Sequence, residues 1–257
     1  MTSRRPGARF NRGRIATRAA TPSFGALGPL SIITSRTPVV YLIGDLGVTD
    51  AGGGFCSAWA DQTGNGNHAT QATGASQMQI QSAALNGKTA LLADGVDDFL
   101  ALLNLARPAP ATTPTWIWFV LQQVSWSSGD SFIGASASGW RLQSTSASPI
   151  VAQRNSATLG PNNAGATVGS WVRGQVLFTG SISDSLKLAA TAVTGINTGN
   201  TALVAGTFIL AAHLTSAGFA NIRLLAFGAW SGGEPSAGEL SAMDAWTTGY
   251  YGAGVGL

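Results

Sequence analysis

Charged side chains are scarce in this sequence. Asp, Glu, Lys and Arg make up 10% of its 257 residues, less than half the share usual in soluble domains. The surface is therefore built from Ser, Thr, Asn, Gln, Gly and Ala, which gives weak colloidal repulsion and suits a protein packed against other subunits. Cys56 is the one cysteine, so no internal disulfide can form, and a buried, inert thiol is expected. No apolar run approaches the ~20 residues a membrane-spanning helix needs, since Val39–Ile43 is bounded by Pro38 and Asp45. No membrane partner is expected. Histidine and glutamate occur twice each, as His68, His213, Glu234 and Glu239. Glycoside hydrolysis needs two carboxylates flanking the scissile bond, and no strand-like segment carries two acids at i, i+2. A G-x-S-x-G elbow and a GxxxxGK[ST] loop are also missing. The expectation is that the chain is not an enzyme and holds no cofactor.

The charge that is present is lopsided. Residues 1–44 hold Arg4, Arg5, Arg9, Arg12, Arg14, Arg18 and Arg36 and no acid, while all eleven acids and the other seven basic groups lie beyond them. The sequence pI of about 9.5 is thus set by the N-terminal segment and is no sign of a nucleic-acid-binding domain. The Arg-rich, acid-free composition is that of a transit peptide, but we expect the segment to be retained. Residues 1–36 show neither helical nor strand periodicity, so an extended basic arm is expected before a globular domain spanning 37–257. Clustered arginines can neutralise phosphates. Phe24 and Leu27, however, add apolar anchors that charge tethering alone does not need, so docking on protein carboxylates through Arg forks is favoured over nucleic acid.

From Val39 onward, short apolar runs alternate with Gly, Asn, Ser and Pro clusters, the pattern of a many-stranded sandwich. In Thr115–Gln123, Trp116, Trp118 and Val120 fall on one face and Ile117, Phe119 and Leu121 on the other. A strand apolar on both faces is central, covered by a further layer or subunit or lying wholly inside under a long loop. Ser236 and Glu239 form an S-x-x-E capping box after Pro235, and Leu240, Met243 and Trp246 recur at helical spacing. A short helix over Ser236–Thr248, stopped by Gly249, is expected to lie on the sandwich.

Two loops concentrate polar side chains. In Trp59–His68, Asn65-Gly66 supplies a tight turn, Asp61 can accept backbone N–H groups and Trp59 can pack beneath. A structural turn of Trp59, Asp61, Asn65, Gly66, Asn67 and His68 is expected; calcium on Asp61, Asn65 and Asn67 is the alternative, weakened by having one carboxylate. Zinc is disfavoured because His68 has no nearby Cys or His, and no metal is expected. Asp94, Asp97 and Asp98 form the densest acidic group, read as an Asx-type turn or as a calcium or sugar-hydroxyl site shared with the first loop. Eight tryptophans are present. Trp126 and Trp140 flank Ser/Gly-rich turns and are the candidates for stacking on a glycan or anchoring a subunit contact.

The order of Leu42–Ala60 (LIGDLGVTDAGGGFCSAWA), Asp61–Gln71 (DQTGNGNHATQ), Asn86–Leu100 (NGKTALLADGVDDFL) and Ile222–Gly252 resembles the concanavalin A-like or laminin G-type domains of bacteriophage virion proteins. Thr63 departs from the usual Ser of that pattern. The resemblance covers about residues 39–257. It implies an all-β, two-sheet antiparallel jelly-roll sandwich with one short C-terminal helix. It also implies a virion structural protein, a decoration, head-fibre or tail-associated subunit located in the virion. Its expected partners are capsid or tail subunits and further copies of itself. The alternative is a carbohydrate-binding adhesin module with glycan partners.

Overall fold

The computed structural model describes residues 25–102, 114–135, 141–146, 151–155, 158–165, 167–178, 183–196, 208–213 and 218–256. A short helix, α1 (Gly28–Ile32), precedes β1 (Thr37–Ile43), β2 (Val48–Asp50), β3 (Cys56–Trp59), β4 (Ala69–Thr70), β5 (Gln79–Leu85), β6 (Lys88–Asp94) and β7 (Leu100–Leu102). Next come β8 (Thr115–Gln123), β9 (Ser131–Ala135), β10 (Arg141–Ser144), β11 (Val151–Asn155), β12 (Thr158–Asn163) and β13 (Trp171–Phe178). They are followed by β14 (Ser183–Leu188), β15 (Thr191–Ile196), β16 (Phe208–Leu210), β17 (Asn221–Ser231), α2 (Ala237–Tyr251) and β18 (Val255–Gly256).

The strands form two antiparallel sheets that pack face to face as a jelly-roll sandwich. The first sheet runs β15-β14-β13-β8-β17-β6-β5, with β1 joined to β17 and β18 joined in parallel to β13. The second runs β12-β11-β10-β9-β16-β7-β4-β3-β2. In the first sheet β17 is the organising strand. It pairs with β8 along its whole length, with β6 through Asn221–Leu224 and with β1 through Ala226–Ser231. The register shifts between Leu224 and Ala226, where the partner on one side changes.

Strict alternation on β8 separates two cores. Ile117, Phe119 and Leu121 enter the core between the sheets, and Trp116, Trp118 and Val120 enter a second one on the other face. That second core is closed by the same chain: Ile33 from the N-terminal segment and Met243, Trp246 and Tyr251 of α2 cover the tryptophan face. Gly174 lets β13 approach β8, since a Cβ there would meet the Phe119 ring. A buried Arg173 pairs with Asp244 of α2 and fastens the helix to the sheet.

The capping box of α2 is in place, with the Ser236 side chain accepting from Glu239 N–H and the Glu239 carboxylate accepting from Ser236 N–H. The helix ends at Gly252 rather than Gly249, because Gly252 takes a left-handed φ of 85° while Tyr250 and Tyr251 still pack in helical positions. The hairpin β5–β6 is turned by Asn86 and Gly87 at φ 48° and 80°.

The expected boundary at residue 37 is corrected. Residues 25–36 pack on the sandwich and include the helix α1. Ile33 is buried, Tyr41 Oη donates to the Ala26 carbonyl, and Trp246 Nε1 donates to the Gly25 carbonyl. Glu239 accepts from Thr34 and Ser35, and the Arg36 guanidinium donates to the Glu234 carbonyl. Periodicity could not show this, because the segment is held mostly by its backbone groups. Of the arm residues singled out, Leu27 is exposed, whereas Arg4, Arg5, Arg9, Arg12, Arg14, Arg18 and Phe24 lie outside the described residues.

Candidate functional site

The two polar loops occupy opposite ends of β17. Asp61 binds Tyr41, which lies opposite Gly228, whereas Asp94 lies opposite Asn221. Seven residues of strand separate those positions, on the order of 20 Å. They share no site.

The Asp61 loop seals the free edge of β1. Its carboxylate accepts from Tyr41 N–H, Thr63 N–H, Thr63 Oγ1 and Asn67 N–H at 2.7–3.1 Å. His68 Nδ1 accepts from Asp61 N–H at 3.0 Å. Asn65 and Asn67 donate their amides to the Pro38 and Val39 carbonyls, and Trp59 Nε1 donates to the Ile43 carbonyl. These side chains supply the partners that a neighbouring strand would have supplied, and so blunt an edge open to pairing. Gly66 contributes the left-handed turn, at φ 76°. Both Asp61 oxygens are already occupied by donors, which leaves the loop poorly suited to a cation.

The other end gathers the candidate site. Asn221 pairs with Asp94 on one side, and its carbonyl accepts from Val124 N–H on the other. The Asp94–Phe99 loop and the Val124–Asp130 loop therefore leave the sheet together. Phe219 joins them, packing on Phe99 with ring centroids 6.3 Å apart and bridging to Ser131. The carboxylates of Asp94, Asp97 and Asp98 lie within 4.8 Å of one another. Asp94 accepts from Val96 N–H, Asp98 from Asp94 N–H and Asp97 from Ser76 Oγ. Burial, with the charges of Asp94 and Asp97, pushes the Asp98 carboxyl up to about 6 even though it accepts a backbone hydrogen bond. Burial likewise raises Asp130. The three acids are the one group of possible metal ligands among the described residues. Their oxygens could hold a hard divalent cation, or accept from sugar hydroxyls.

Trp126 is half-buried against the inter-sheet core, and its Nε1 donates to the Thr145 carbonyl at 2.9 Å, so only part of its ring faces outward. Trp140 lies outside the described residues. Cys56 is buried, and burial pushes its thiol up to about 11.

No protein-family model and no curated protein matches the sequence. Solved structures do. An arabinofuranosidase complexed with arabinofuranosyl-α-1,2-xylobiose matches with a TM-score of 0.59 at 17% identity, over 78% of this chain and 51% of that one. Trypanosoma rangeli sialidase with 2,3-difluorosialic acid matches at 0.56 and 11% identity, over 88% of this chain and 38% of that one. The botulinum neurotoxin serotype D ligand-binding domain in complex with N-acetylneuraminic acid matches at 0.55 and 10% identity, over 87% and 53%. The chain spans about half the length of these structures or less, and at such identities the likeness shows the fold. It corrects the expectation that the chain is not an enzyme, because structures of glycosidases share the architecture. The chain is a β-sandwich of the kind found in carbohydrate-binding and glycosidase structures.

Proposed function

We propose that this protein is a carbohydrate-recognition module. The observation that carries the reading is the gathering of Asp94, Asp97 and Asp98 beside the Trp126 loop at one end of the sandwich. Carboxylates and a partly exposed indole are the groups that accept from sugar hydroxyls and cover a sugar's apolar face. Support comes from the toxin domain of the same fold that was solved with a bound sugar, a likeness taken for the class of ligand and not for its charge. The test is binding of the full chain to a glycan array, with Asp97→Asn and Trp126→Ala variants and with released sugar measured in parallel. Binding weakened by either substitution is the expected result. Wild-type protein that retains no glycan overturns the reading.

A second, finer reading concerns where the module works. The resemblance to phage virion domains and the one-signed charge of residues 1–44 support a virion subunit, a decoration, head-fibre or tail-associated protein that assembles with capsid or tail subunits and with its own copies. The anchored residues 25–36 give a docking segment that precedes them a fixed starting point. Incorporation into particles, compared between the full chain and one beginning at Gly25, tests it; normal incorporation of the shorter chain counts against docking through residues 1–24.

A further inference from the structure

The outer face of the first sheet is divided. Its upper half, with Trp116, Trp118 and Trp230, lies under α2 and belongs to the second core. The other half, toward the acidic loop, carries polar side chains. The strand registers align these into a straight row. Phe55 bridges to Gln79, Gln79 pairs with Leu92, Leu92 with Arg223 and Arg223 with Gln122; Trp171, opposite Gln122, is buried in the second core and closes the row. Residues paired across strands project to the same face, so the five from Phe55 to Gln122 lie side by side, ~19 Å from end to end at normal strand spacing.

The geometry points to this row as a docking platform for a neutral glycan chain, continuous with the acidic loop through Asn221 and Asp94. The inference rests on the carbohydrate reading and names the surface and ligand class for it. Phe55 is 41% exposed, one of few large apolar side chains left open among the described residues, and it stands at one end of the row. An open ring beside amides is what covers a sugar face while neighbouring groups take its hydroxyls. The amides are already held in place. Arg223 Nε donates to Gln81 at 2.6 Å and its Nη1 to Gln122 at 2.5 Å, while Gln122 Nε2 donates to the Gly169 carbonyl at 2.6 Å. Side chains fixed in this way lose little entropy on binding. Charge selects the class. Arg223 is the one cation of the row, and Asp94, Asp97 and Asp98 stand beside it, so an anionic chain is repelled. A row that crosses strands suits an oligosaccharide rather than a single sugar.

The experiment is affinity electrophoresis of the full chain through gels containing soluble arabinoxylan, dextran, glucomannan or polysialic acid, with Phe55→Ala, Arg223→Ala and Gln122→Glu variants. Phe55 is exposed, so its variant should fold, and melting curves check the other two. Retardation by at least one neutral polysaccharide, weakened roughly tenfold or more in Phe55→Ala and in one of the other variants, is expected. Retardation of all variants equal to wild type overturns the platform and leaves the carbohydrate reading standing. Retardation by polysialic acid alone overturns the ligand class. No retardation in any gel, together with an empty glycan array, removes the carbohydrate reading and this inference with it.

Discussion

The carboxylate of Glu239 accepts from both the backbone N–H and the hydroxyl of Ser35, at 2.7 and 2.5 Å, while also closing the capping box of its own helix. One side chain thus caps α2 and pins the segment that leads into β1. These donors hold its carboxyl well below the usual carboxylate range, although burial opposes them. Glu239→Gln keeps some acceptor capacity and should cost about 1–2 kcal/mol at neutral pH. A carboxylate with a lowered folded-state pKa contributes stability above its unfolded value, near 4.5, and that contribution is lost as the pH falls toward the folded-state value. Urea denaturation should therefore show the difference between wild type and variant shrinking as the pH is taken below about 4.

Residues 25–36 should contribute substantially to the stability of the fold. A chain beginning at Thr37 loses the burial of Ile33, the partners of Trp246 Nε1 and Tyr41 Oη, and the donors to Glu239. We expect a loss of about 3–5 kcal/mol relative to a chain beginning at Gly25. Urea midpoints of the two chains measure it, and equal midpoints would show that the segment adds nothing to the second core.

Asp98 should destabilise the native state near neutral pH. A folded-state pKa raised to about 6 from 3.8 means that the native protein holds the proton more tightly, so stability falls as the pH rises through that window. Asp98→Asn should remove this slope and raise stability at pH 7 by on the order of 1–2 kcal/mol. Melting curves between those pH values, run for both proteins, decide it; parallel curves would place the proton elsewhere.

Asp61→Ala should cost about 2–4 kcal/mol, because it strips the acceptor from buried Tyr41 N–H and from three further donors of the loop. Calcium should not change the size of that loss. A loss that appears only with calcium present would make the loop a metal site.

Much of the architecture is legible along the chain because it depends on local pattern. The two apolar faces of Thr115–Gln123 announce a strand covered on both sides, and the strand has those bounds. Ser236 and Glu239, three residues apart, announce a helix start that needs only its own backbone to form. The Asn and Gly residues after Asp61 announce a turn, since left-handed backbone is a property of single residues. The destinations of the side chains were not legible. Nothing near Glu239 in sequence shows that it also binds Ser35, 204 positions away. Nothing near Asp61 shows that its donors include Tyr41, and nothing near Arg223 shows that it lies between Gln81 and Gln122. Composition and period determined strands, turns, the helix and the sandwich class, because these follow from neighbours on the chain. Strand register and layer packing alone decided what covers the tryptophan face, which edge the Asp61 loop seals and which polar side chains stand in one row, because each joins residues that only the folded backbone brings within hydrogen-bonding reach.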